Sequence, residues 1–221
     1  MDMPTQAIAH YAATLAYDDL SPDAVHTIKR LLIDAVACAC AAYATPPAAA
    51  ARAVAQGAVS DPPAHTLISH EPTTPDLAAY AGAFMVRYWD LNDTYLHGGH
   101  PSDIVPGVLA MAEVTGRKNT FGVRDGASGK DILVALTIAY ETFAALCDAP
   151  GMLGTSAGGR IAIASAAAAG RLLDLDERYI TQAVALAAAS TISRGVRGHG
   201  QVSGWRAATS ANAARGGIFA A

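Results

Sequence analysis

The sequence has little of what usually places a protein quickly. Aromatic residues make up 6% of its 221 positions and charged residues 15%. There is no basic run, and a net charge of -4 with a pI near 5.9 excludes the electrostatic footprint of a nucleic-acid surface. Three cysteines, Cys38, Cys40 and Cys147, cannot make a disulfide framework. Cys38 and Cys40, two apart in a helical pattern, point in different directions, and all three read as small core fillers. A membrane-crossing helix needs about 18 or more consecutive apolar residues. The best run, Leu31 to Ala51, is broken by Asp34 and Pro46-Pro47, and Ile161 to Ala169 is shorter still. No basic segment followed by an apolar one opens the chain, so no secretion signal is read. These absences predict a cytoplasmic protein with neither membrane nor nucleic acid as a partner.

What the chain does have is hydrophobic residues, 52% of it, much of that alanine in helical period. Ile28, Leu32 and Val36 recur every four residues after Ser21-Pro22, a cap followed by proline at the first helical position. Thr74-Pro75-Asp76 opens another helix running towards Trp89. Ser128 to Asp131 fits a capping box, after which Ile132, Leu136, Ala139, Phe143 and Leu146 mark one face. Further helices are predicted over 4–18, 46–58, 102–115, 156–173, 176–191 and 204–221, and only Ala64 to Ile68 reads as extended. The prediction is an all-α fold, one large bundle of alanine-rich helices spanning 1–221. Its end, Gly-Gly-Ile-Phe-Ala-Ala, falls inside a helical pattern, which suggests a fragment or one half of something larger.

Against this background one stretch stands out, Tyr88 to Val105, YWDLNDTYLHGGHPSDIV. If Asp90 to Thr94 continues the helix from Pro75, Asp90 and Thr94 share a face. His100 then follows a flexible turn, just ahead of a helix start at Pro101-Ser102-Asp103, where N–H groups favour an anion. A carboxylate, a hydroxyl and an imidazole beside an anion site suit proton transfer on an acidic substrate. The plain alternatives are a solvated cap for Asp90 and a turn residue for His100. His97 and His100 with Asp90 or Asp93 could ligate zinc or iron, but the separation matches no recognised zinc site, so no metal is expected.

A second polar cluster, SRGVRGHGQVSGWR over 193–206, carries Arg194, Arg197, His199 and Arg206 among four glycines. Guanidinium groups beside a helix start would bind carboxylates; the alternative is a surface loop with solvated arginines. Gly154-Thr-Ser-Ala-Gly-Gly159 lacks the lysine of a phosphate loop and reads as a tight helix entry.

Asp90-Leu-Asn-Asp-Thr-Tyr, with Gly99-His-Pro-Ser-Asp103 after it, resembles the MmgE/PrpD family. So do Ile138-Ala-Tyr-Glu141, Arg171-Leu-Leu-Asp-Leu and Trp205-Arg-Ala-Ala-Thr-Ser-Ala-Asn-Ala-Ala-Arg215, in the same order along almost the whole chain. The resemblance implies the helical N-terminal domain of a homodimeric, cytoplasmic lyase acting on small di- or tricarboxylates, without a generally required cofactor. It implies Asp90, Thr94 and His100 as catalytic residues. Arg206 stands where relatives often carry lysine, and reads as a carboxylate clamp helped by Arg194, Arg197, His199 and Ser102. The pattern is more like 2-methylcitrate dehydratase than cis-aconitate decarboxylase or iminodisuccinate epimerase. Family members are about twice as long, with a smaller C-terminal domain that this chain lacks. A rival from another class is a non-catalytic helical module that binds an anion or dimerises through alanine-rich faces such as Ala162 to Ala169.

Overall fold

Local chemistry sets most helix starts. A computed structural model describes residues 3–96, 98–116, 126–149, 157–190 and 205–221, the side chains of Trp205 and Arg206 excepted. Ser21 Oγ accepts the Ala24 N–H at 3.1 Å and opens α2, Pro22–Ala42. Thr45 does the same for α3, Pro46–Val54, through the Ala48 N–H. The capping box at Ser128 and Asp131 forms in both directions and starts α6, Gly129–Asp148. Thr74 does not cap α4, Pro75–Arg87; its hydroxyl bonds the Asp76 carboxylate instead.

The other helices are α1, Met3–Thr14; α5, Val105–Val114; α7, Ala157–Leu172; α8, Glu177–Ser190; and α9, Trp205–Ala220. The described residues are thus predominantly helical, with nine α-helices and one small antiparallel pair, β1 (Ala64–His65) and β2 (Pro72–Thr73). Where the predicted spans run long, a local group ends the helix. α1 stops at Thr14 because Ala16 is extended and its N–H is taken by the Asp19 carboxylate at 2.8 Å. A 3-10 turn follows at Tyr17–Asp19.

Small side chains decide the packing. α9 lies against α4 and α7, and α7 also meets α6 and α8. A Cβ at Gly217 would sit 2.3 Å from the Ala162 carbonyl oxygen, so the α7 and α9 backbones touch there. Ala162, Ala164 and Ala166 to Ala169 are fully buried within this chain. That corrects one reading of the sequence: the alanine face at 162–169 is consumed inside the domain and offers no surface to a second subunit. The cysteines also divide. Cys147 is buried as a core filler, but Cys38 is only partly covered and Cys40 is exposed, on a helix whose Ile33 is exposed too.

Among the described residues no single helix is long and apolar enough to cross a membrane. α2 and α3 would qualify only together, and they bend by 107° at their junction.

Candidate active site

α4 is almost wholly buried from Ala78 to Arg87, and Arg87 is the one charged group in that stretch. The helix ends there rather than near Asp90. Asp90 takes a left-handed conformation, φ 58°, which aspartate tolerates better than most side chains. Asp90 and Thr94 therefore do not share a helical face. Asp90 is 42% exposed at its side chain, and Thr94 is exposed on the loop beyond. The described residues on either side of His97 are held at several points. Tyr95 and Gly99 make a β-bridge, Arg160 Nη1 donates to the Gly98 carbonyl at 3.1 Å, and the Tyr95 hydroxyl donates to Asp148 at 2.7 Å. Gly98 itself lies so close to α6 that a Cβ would meet Cys147 Sγ at 2.1 Å.

This anchoring brings His100 back to Asp90, with Nε2 3.3 Å from Oδ1. That is longer than a charge-assisted hydrogen bond, so the imidazole is steered by the carboxylate without being tightly committed to it. Arg87 Nη1 donates to the same carboxylate, and Arg87 Nε lies 3.6 Å from Asp103 Oδ2. The arrangement is a chain of alternating charge: Asp103 at the bottom, Arg87 above it, Asp90 at the surface and His100 at its side. Burial holds the His100 pKa below its usual value, and the Arg87 charge adds to this. Asp90 and the backbone carbonyls of Asp93 and Asn92 oppose it. The imidazole is accordingly a neutral base at pH 7.

The helix start at Pro101 differs from expectation in one respect. A 3-10 turn, Pro101–Ile104, leads into α5, but the chain fills its own anion site. Asp93 Oδ1 accepts the Ser102 N–H at 3.0 Å while Asp93 Oδ2 accepts the Tyr140 hydroxyl at 2.8 Å. Each carboxylate oxygen thus accepts one hydrogen bond within the chain. Ser102 is fully buried beneath Asn92, whose Nδ2 donates to Ser102 Oγ at 2.8 Å and to Asp103 Oδ1 at 3.1 Å. Ser102, which the sequence reading gave a substrate contact, is here bonded to Asn92 and supports the turn that carries His100.

Asp103 is the most perturbed group here. Complete burial lifts its carboxyl to about 7, against the pull of Arg87 and the hydrogen bonds from Ser210 and Asn92. A raised carboxyl pKa means that the folded protein binds more protons than the unfolded chain between pH 3.8 and 7. Stability from this group therefore falls as pH rises through that window. Asp103→Asn removes the effect. Relative to that variant, the wild type is expected to lose about 2 kcal/mol of unfolding free energy from pH 5 to 7, read by urea denaturation. A flat difference would contradict the assignment.

The bond from Ser210 to Asp103 also places α9 beside this cluster. Arg206 belongs to the same helix one turn earlier, although its side chain is outside the described residues. Arg194, Arg197, His199 and His97 also lie outside them. Arg87 did not stand out in the sequence, and Asn92 and Tyr140 lie within its motifs but were given no place in the site. The usable signal was Arg87, a lone cation closing an apolar helix three residues before Asp90. Two cavities of about 610 and 660 Å³ lie elsewhere, and neither is lined by Asp90, Thr94 or His100.

A buried cation, an acidic group beside it and an imidazole of lowered pKa thus stand together at the rim of the helical domain. The chain belongs to the MmgE/PrpD family, whose N-terminal domain matches residues 6–221. It is 30% identical over 176 residues to the 2-methylcitrate dehydratase of Cupriavidus necator, covering 77% of this chain and 36% of that enzyme. It is 32% identical over 117 residues to the 2-methylcitrate dehydratase of Escherichia coli (strain K12), covering 51% of this chain and 24% of that enzyme. The matched part thus spans about a quarter to a third of these relatives' length.

Proposed function

We propose that this chain is the helical part of a lyase that removes a proton next to a carboxylate of a small di- or tricarboxylate, with dehydration of a 2-methylcitrate-like acid as the reaction. The observation that carries this reading is the His100–Asp90 pair, a neutral imidazole 3.3 Å from a carboxylate. Nδ1 of His100 is buried, so Nε2, beside the exposed Asp90, is the nitrogen that receives the proton. As the C–H bond breaks, its electron pair forms the C=C bond and the C–O bond breaks, the leaving hydroxide taking a proton from solvent to become water. The imidazolium formed at His100 is stabilised by Asp90.

Thr94, exposed on the loop beyond Asp90, positions the substrate, and Arg206 with Arg194, Arg197 and His199 binds its carboxylates. Decarboxylation or epimerisation would use the same carboxylate binding and proton chemistry. The test is a panel of citrate, 2-methylcitrate, cis-aconitate and iminodisuccinate offered to the full-length protein. Consumption of 2-methylcitrate above the others supports the dehydratase reading. Preferential turnover of cis-aconitate or iminodisuccinate moves it to decarboxylase or epimerase, and binding of any of them without turnover favours an anion-binding module.

A further inference from the structure

The larger of the chain's unexplained features lies away from the site above, where β1, its turn and the end of α5 meet. His65 on β1, His70 in the turn and Glu113 in the last turn of α5 bring three ligand atoms within 4.8 Å of one another. We propose that these three side chains form a site for a divalent transition-metal ion, with zinc the best-suited species.

Three observations converge on it. Glu113 is already positioned: its Oε2 accepts the His65 backbone N–H at 2.7 Å and lies 3.3 Å from His65 Nδ1. The turn that carries His70 is tightly closed, with the His70 N–H on the Thr66 carbonyl and the Thr66 N–H on the Glu71 carbonyl, both at 2.9 Å. Within that turn Ile68 and His70 both adopt positive φ, 78° and 54°. For a β-branched residue this conformation costs on the order of 1–3 kcal/mol, the kind of local strain that accompanies a functional arrangement. The result is that His70 stacks on His65 with ring centroids 4.0 Å apart and planes within 16°.

Imidazole lone pairs lie in the ring plane, so stacked rings do not themselves aim at a common point. Metal binding would splay the two rings and draw the donors in by roughly an ångström, towards metal–ligand distances of about 2.0–2.2 Å. His65 is partly buried, while Glu113 and His70 are exposed at the surface. Two imidazoles and one carboxylate form a borderline donor set that suits zinc and excludes the hard cations magnesium and calcium. Three protein ligands leave a fourth position open. It faces the cavity of about 610 Å³ lined by these residues together with Thr66, Leu67 and Leu109. Bound there, the ion would fasten the β1–β2 hairpin to the end of α5.

The test uses the protein stripped with a chelator and titrated with Zn²⁺ against a chromophoric competitor, and with Co²⁺ followed by visible absorption. One equivalent should bind with a Kd of about micromolar or tighter, and Co²⁺ should show the intense bands of low coordination number. His70→Gln, on the exposed turn, should weaken binding by roughly tenfold or more with an unchanged circular dichroism spectrum, as should Glu113→Gln. No saturable binding, or binding that survives unchanged in the His65→Ala/His70→Gln double variant, overturns the proposal.

Discussion

Arg87→Met is expected to destabilise the protein by about 3–5 kcal/mol at pH 8, the largest stability loss of any single substitution at this site. Arg87 is 7% exposed and touches two carboxylates of different character. Asp90 is near water and can be resolvated when the guanidinium goes. Asp103 is fully buried and cannot. Removing Arg87 leaves it with Asn92 and Ser210 as its only named donors, which is the situation in which a broken buried ion pair costs most. Because its carboxyl titrates at about 7 even with Arg87 present, the cost should shrink at pH 5, where the group is protonated in either protein. Denaturant unfolding at the two pH values checks this. The double variant Arg87→Met/Asp103→Asn should recover most of the loss, since an amide carries no charge to strand. An equal loss at both pH values would mean that Arg87 acts through packing alone.

His100→Gln in the full-length protein is expected to lower kcat by roughly 10²–10⁴-fold with little change in stability, the range typical of a missing general base. The side chain keeps its size and hydrogen-bonding reach but cannot take up a proton. The wild-type pH–rate profile supplies the independent check. A base must be neutral to work, and burial together with Arg87 holds His100 below its ordinary 6.5. Activity should therefore stay level above that value and fall only below it. A limb centred above pH 6.5 would assign the titration to another group. Asp90→Asn should shift that limb further down, because the carboxylate is what favours the protonated ring.

The sequence carried the helices well because their determinants are local. Ser21 and Ser128 with Asp131 are read from spacing alone, and each forms the cap its spacing implies, whereas Thr74 opens its helix without capping it. It carried the candidate site less well because that site is built from non-local contacts. Nothing in the run Asp90 to Thr94 reveals that the helix stops at Arg87, since the stop depends on a left-handed Asp90 engaged by an arginine behind it. The N-terminal end of the Pro101 turn looked open to an anion. Only the fold shows that Asp93, bridging Ser102 and Tyr140, already occupies it. The alanine stripe at 162–169 was ambiguous for a related reason: close helix packing looks the same in sequence whether the partner helix belongs to the same chain or to another. Gly217 against Ala162 settles that for this face.

The most direct measurement of the central claim is hydrogen exchange at carbon. The full-length protein is incubated with 2-methylcitrate in D₂O, and the substrate and product are followed by NMR. If His100 takes the proton beside a carboxylate, reversal of the step should place solvent deuterium at that position in the remaining substrate with the wild type and fail to do so with His100→Gln. Deuterium incorporation at an undiminished rate in the variant would contradict the account.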